Sequence, residues 1–390
     1  MSGGPLEGVR VVDLTSVVVG PLCTQILADH GAEIIKVENK TGDLIRFMNG
    51  KSVTTGMGAK FLHLNRNKRS VVLDLKQAAD LDTLRALVRN ADVLVHNFRP
   101  SVPPRLGIGY DQLRAVNPRL IYCAVSGYGD TGPLAEKAGY DQVLQTMTGM
   151  CAMQGKKEGP PEVLYGSIVD YYASAMVAAG VSSALYEREK SGAGQEVGIS
   201  LLAAALTLQS ARLVWADNEP RDVGRDMRSG GITGIHPTGD GYLYISANTP
   251  HFWKALCAKV GLDALAANER YDTVRKRAAH QSEIVPQLHA ALKARTALQW
   301  EAIFGEEVPC AAARTVEDMF DHPQVQSQDM ITHFEHPVVG GYRGLKRTIR
   351  FGRTPGPHPF AAPTLGQHTD LVRAFASGAT PAPQTPETPA

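Results

Sequence analysis

The chain has 390 residues, 43% hydrophobic and 20% charged, the make-up of a soluble globular protein large enough for two cores. Forty Lys and Arg against 39 Asp and Glu leave a formal net charge of +1, so no global field favours nucleic acid or an anionic membrane. No apolar run of spanning length and no signal-peptide pattern stands out, and five scattered cysteines without CxxC spacing fit free thiols in a reducing cytoplasm better than disulfides or zinc.

Taken in order, residues 9–14 read as a strand, and Gly20-Pro21 opens a helix that runs through Ala28 and ends at Gly31. Glu33–Val37 is the next strand. A polar stretch follows to Asn65-Arg66-Asn67-Lys68-Arg69, then strand 70–75, helix 78–89, and strands 92–96 and 120–126. Apolar strands alternating with helices predict an α/β fold with an open, mainly parallel, Rossmann-like sheet covered on both faces. A helix over 173–190 stops at Gly192, and another runs from Leu201 to about Ala216. Residues 217–235 are polar and glycine-rich. Beyond them come strand 242–246 and amphipathic helices that include 279–295 and 298–304. The predicted organisation is a large domain over 1–220 and 331–376, a smaller α+β domain over 221–330, and a disordered tail over 377–390, rich in Pro, Thr and Ala.

Several motifs point away from particular chemistries. Gly127-Tyr128-Gly129-Asp130-Thr131-Gly132 has GxGxxG spacing after a strand, but Pro133 interrupts the helix a dinucleotide fingerprint needs, which argues against a nicotinamide cofactor. His333 and His336 lack further ligands, no HExxH, Walker A or GxSxG element occurs, and no metal is expected. Two basic, asparagine-bearing clusters suit a small polyanion: Asn65 to Arg69, and Asn97-Phe98-Arg99-Pro100 with Arg105. Only the second follows a strand, where open α/β sheets bind ligands. Asp170 stands just ahead of the helix starting near Ala173, where an N-cap or a dipole-stabilised carboxylate belongs.

Taken together, residues 5–14, Gly20-Pro21, residues 31–38, Asn65 to Ser70, Asn97 to Pro100 and Arg105 to Tyr110 resemble the family III CoA-transferases. So do Gly139-Tyr140-Asp141, Gly192 to Gln195, Val308-Pro309-Cys310 and residues 365–370, and the likeness runs from Pro5 to about Ala376. The family also contains the α-methylacyl-CoA racemases. The resemblance implies coenzyme A or acyl-CoA as substrate, a carboxylic acid, mono- or dicarboxylic, as second substrate, a nucleophilic Asp170, and an interlocked homodimer. It places CoA on Lys68 and Arg105, with Asn65, Arg66, Asn67, Asn97, Phe98, Arg99, Lys137, Tyr140 and Asp141 nearby. Arg225, Arg228 and His236 are candidates for a second substrate carboxylate. Asn39 stands where the family often has arginine, and Ser101 where it usually has glycine. Racemases pair the aspartate with a histidine base, whereas this chain has Tyr140 in that segment, and tyrosine as a residue type is a poor base near neutral pH. Transfer is therefore the preferred reading, with racemisation and non-catalytic CoA binding as alternatives.

Overall fold

The structure, a computed structural model, describes residues 3–48, 54–155, 159–214, 216–218 and 232–379. The chain divides into two compact units, Met1–Gly155 with Gly159–Asp222 and Ser327–Ala390, and Lys156–Glu158 with Val223–Gln326.

In the first unit the chain runs β1 (Arg10–Leu14), α1 (Val19–Asp29), β2 (Glu33–Glu38), α2 (Ala59–Leu64), β3 (Lys68–Val72), α3 (Ala78–Arg89) and β4 (Val93–His96). Then follow α4 (Val102–Leu106), α5 (Tyr110–Arg114), β5 (Ile121–Ser126), α6 (Asp141–Met147), α7 (Ile168–Ser191), β6 (Glu196–Ser200) and α8 (Leu201–Thr207). The six strands form one sheet in the order β3-β2-β1-β4-β5-β6, and every neighbouring pair is parallel. Both faces are covered, which is why strands such as Val93-Leu94-Val95 are buried at every position. One core joins α1 and α7 to the sheet through Val11, Leu27, Val95, Val177 and Val181. The opposite core joins α3 through Leu84 and Leu87.

The second unit holds β7 (Gly234–Pro237), β8 (Tyr242–Ile245), α9 (Pro250–Val260), α10 (Asp263–Ala266), α11 (Val274–Ala279), α12 (Gln281–Leu292), α13 (Ala297–Phe304) and β9 (Cys310–Ala312). Its three strands are antiparallel, and its core is built from Leu243, Trp253, Leu256, Leu288, Trp300 and Phe304. After α14 (Pro323–Ser327) the chain forms the antiparallel hairpin of β10 (Ile331–His336) and β11 (Gly340–Leu345). Then α15 (Thr369–Ala376) seats Val372 in the core beneath β3 and α3.

Several boundaries differ from those the sequence predicts. The strand expected from Ser70 starts at Lys68, so Lys68 and Arg69 are strand residues. The helix read over 279–295 is α12, shorter at both ends (Gln281–Leu292), and a separate helix, α11, ends at Ala279 just before it. Helix α8 ends at Thr207, well before Ala216. Most consequentially, α7 begins at Ile168, not Ala173. The β-branched and aromatic residues that open it lack helix propensity, and tertiary contacts override that. The extra turn gives a 24-residue helix long and apolar enough to cross a membrane, which the sequence reading did not find. Here it packs as a core helix, with Val169, Ala173, Val177 and Val181 buried. Of the expected disordered tail, 380–390 lie outside the described residues.

Candidate active site

In an open parallel sheet the helices after adjacent strands leave on opposite faces where strand order reverses, opening a crevice at the carboxyl ends. Here that point lies between β1 and β4, the strands that lead into Ser16 and Asn97. A cavity of about 240 Å³ sits there, lined by Ser16 to Val19, Asn97 to Pro100, Ser126-Gly127, Lys137 to Tyr140, Asp170 and Leu201. Gly127, the first glycine of the GxGxxG spacing, and Gly139 shape its wall. A Cβ on Gly127 would sit 2.9 Å from the Gly139 Cα, so two chain segments cross there without side chains.

Asp170 is the third residue of α7 and is 9% exposed. It is not the N-cap. Ser167 holds that position without a side-chain capping bond, and the buried carboxylate of Asp141 does the capping from α6. Asp141 Oδ2 accepts the Asp170 backbone N–H at 2.9 Å, and its Oδ1 accepts from Gln145 Nε2 at 2.5 Å. Gln145 Oε1 in turn accepts the Leu164 N–H at 2.8 Å. The Asp141 and Gln145 side chains thus fix the segment 164–170 to α6. Burial, and then the charge of Asp141, push Asp170 up to about 7. A carboxylate poorly solvated and held beside another is a strong nucleophile once ionised, and an unperturbed surface acid is not.

The first basic cluster lies elsewhere. Lys68 is fully buried, its Nζ donating to Asp13 Oδ2 at 3.1 Å, the Pro21 carbonyl at 2.8 Å and Asn65 Oδ1 at 3.0 Å. All three ammonium protons are thereby engaged. Burial alone would raise Asp13, but Lys68, Lys36 and the hydroxyls of Thr15 and Thr24 hold it well below the usual carboxylate range. Arg66 and Asn67 both bind the Asp29 carboxylate, at 2.6 and 2.8 Å, and Asn65 is buried. The reason is positional: Lys68 begins β3, so its side chain and its neighbours enter the interior at the strand's amino end. Lys68→Ala is accordingly expected to cost about 3–5 kcal/mol of folding stability, the penalty for stranding a buried charge, while the folded fraction binds CoA as before. Denaturant unfolding beside a CoA titration checks this; weakened CoA binding at unchanged stability would restore Lys68 as a phosphate ligand.

The second cluster does reach the crevice. Asn97, Phe98, Arg99, Lys137 and Tyr140 line the cavity with Asp170, and Arg99, Lys137 and Tyr140 are exposed. Asp141 is buried behind Asp170 and does not line it. Arg105 is exposed on α4, and among the described residues only its Nε is engaged, donating to the Ser101 carbonyl at 3.0 Å. Ser101 itself binds Glu136 through its N–H and Oγ at 2.9 and 2.8 Å, joining the loop after β4 to the Lys137 segment. Arg225 and Arg228 lie outside the described residues. His236, in the second unit, is buried, with Nε2 2.8 Å from the Ile232 carbonyl and Nδ1 3.1 Å from His289 Nε2.

A second cavity of about 280 Å³ shares Ser16 and Phe98 with the first and extends over Asn39, Asp43, Leu73 to Lys76 and Leu106. The sequence reading passed over Ser16 to Val19 and Lys76. Their signal was their place just past the carboxyl ends of β1 and β3, where the rule already used for Asn97 applies equally. Lys76 is exposed, and its ammonium has no hydrogen-bond or ion-pair partner among the described residues.

Comparison with known proteins agrees with this geometry. The family model for CoA-transferase family III matches residues 6–369. The chain belongs to the family III CoA-transferases. This CoA-transferase is 33% identical over 385 residues to the succinate–glutarate CoA-transferase of Agrobacterium fabrum, covering 95% of each chain. It is 30% identical to the formyl-CoA:oxalate CoA-transferase of Rhodopseudomonas palustris over 94% of this chain and 92% of that one. Among solved structures, a CAIB/BAIF family protein from Brucella suis superposes with a TM-score of 0.86 at 29% identity, over 96% of this CoA-transferase and all of that chain.

Proposed function

We propose that this CoA-transferase moves CoA from an acyl-CoA to a dicarboxylic acid through a covalent intermediate on Asp170. The observation that carries the reading is Asp170 itself, a buried carboxylate at the wall of a cavity that is also lined by the basic Arg99 and Lys137. The ionised carboxylate attacks the thioester carbonyl, forming a mixed anhydride and expelling CoA thiolate. The thiolate attacks the Asp170 carbonyl, giving an aspartyl thioester and the free donor acid. The acceptor carboxylate then attacks that thioester, expelling the thiolate again, and the thiolate takes the acceptor acyl group from the new anhydride. Charge and atoms balance at each step, and Asp170 ends as it began. A serine would hold the acyl group as a stable ester; an anhydride remains reactive in both directions.

Each step passes through a tetrahedral oxyanion that needs donors. The first residues of α1 line the same cavity, and the N–H groups of Val18 and Val19 have no acceptor among the described residues. The acyl-thioester end of CoA is assigned to the Asp170 cavity and its phosphates to the rim carrying Arg105 and Lys76. The dicarboxylic acceptor is supported by the succinate, glutarate and oxalate in the relatives' names.

The test is transfer of labelled CoA from succinyl-CoA or acetyl-CoA to a panel of mono- and dicarboxylic acids. No transfer to any acid would sink the proposal. Within it, K76A and R105A are each expected to raise KM for acyl-CoA about tenfold or more, the worth of a charged phosphate contact, with kcat nearly unchanged. Unaltered KM in both would move the phosphates elsewhere.

A further inference from the structure

Between β1 and α1 the chain makes an abrupt turn, and Val17 within it has φ 70°. A β-branched residue in the left-handed region is strained, because its Cβ crowds the following carbonyl. Such strain persists only where the surroundings over-determine it. Here they do. Asn97 grips the preceding residue at both of its backbone polar groups: its Oδ1 accepts the Ser16 N–H at 3.0 Å, and its Nδ2 donates to the Ser16 carbonyl at 2.8 Å. Asp43 Oδ1 accepts the N–H of Val17 itself at 3.0 Å. The other Asp43 oxygen is held by Lys36 at 2.9 Å, and the same Lys36 ammonium donates to the Thr15 carbonyl at 2.9 Å. A few residues on, Gly20 passes so close to Thr15 that an added Cβ would fall 2.3 Å from it. The strained residue and the two after it all line the Asp170 cavity.

We propose that Asn97 is a positioning residue that holds Val17 in the left-handed conformation, so that the chain enters α1 with the Val18 and Val19 N–H groups set against the reacting carbonyl. Asn97 then acts on catalysis through the Ser16 peptide, not by binding CoA with its side chain. This rests on the aspartyl mechanism above. It differs from a plain structural role in one respect: the effect of losing Asn97 depends on the residue at position 17. Valine released from the clamp relaxes toward negative φ, whereas glycine occupies positive φ without penalty.

The experiment is a double-mutant cycle of N97A, V17G and the pair, measuring kcat and KM for CoA transfer with melting temperatures alongside. In the Val17 background N97A is expected to lower kcat about tenfold, the scale of a left-handed β-branched residue's bias. In the V17G background, whatever its own activity, the same change is expected to lower kcat less than about threefold. Equal losses in the two backgrounds, or a loss confined to KM for acyl-CoA, overturn the proposal. Should N97A fail to fold, N97D tests the same dependence, since it keeps the acceptor for the Ser16 N–H but turns an oxygen on the Ser16 carbonyl. D170N tests the nucleophile separately, so a flat cycle with an inactive D170N removes the positioning role alone.

Discussion

Asp170→Asn is expected to abolish turnover, lowering kcat on the order of 10⁴-fold or more, as deletion of a covalent nucleophile does, while acyl-CoA still binds. The same substitution is expected to stabilise the fold. Asp170 ionises near 7 in the folded chain, against an ordinary 3.8, so in the unfolded chain it loses its proton first. Between those values the folded state holds more protons, and its stability falls as pH rises through the window. Asparagine has the same shape and never ionises. D170N should therefore exceed the wild type by roughly 4 kcal/mol above pH 8, with the gap closing toward pH 4. Unfolding curves at the two pH values check the sign. Trapping the intermediate with hydroxylamine during turnover and mapping the modified peptide checks the chemistry. A label at any other position, or a D170N enzyme that still exchanges CoA, refutes the aspartyl route.

The second large effect concerns Asp141. Because the attacking group is the ionised form, kcat/KM of the wild type is expected to rise with pH through a limb near 7. Burial is the larger cause of that position and the charge of Asp141 the lesser. Asp141→Asn removes only the lesser, so the limb should move toward acid but stay above the ordinary carboxylate value. Activity should fall as well. Asp141 accepts from Gln145 and from the Asp170 N–H at once, whereas an asparagine that keeps its oxygen on Asp170 turns an NH₂ toward the Gln145 amide. Flipping Gln145 to meet it would take its oxygen away from Leu164. A pH profile distinguishes these contributions: a D141N limb unmoved from the wild-type position would show that the Asp141 charge does not reach Asp170.

Much of this was legible in the chain before folding. Strands such as Val93-Leu94-Val95 carry apolar residues on both faces, and that pattern admits few homes other than a covered parallel sheet. The glycines at 127 and 139, the Asn97 loop after β4 and the carboxylate at 170 were likewise visible as residue types in meaningful places. What the chain could not disclose was partnership. Lys68 and Arg105 look alike as sequence, two cations in asparagine-bearing clusters. Lys68 enters a strand and meets Asp13, 55 residues away in the chain, while Arg105 stays exposed near the switch point. Asp170 reads as an N-cap until Asp141, 29 residues earlier, takes the capping role and raises its affinity for a proton. Nor does anything local in Thr15 to Gly20 foretell a left-handed valine; that conformation exists because Asn97 and Asp43 arrive from other strands to hold it. Periodicity and composition act over a turn or a strand, and so they specify the layers and the residue types available to the site. Burial and hydrogen bonding between distant segments set which charges are spent inside the protein and which remain for chemistry, and those contacts exist only once the chain has folded.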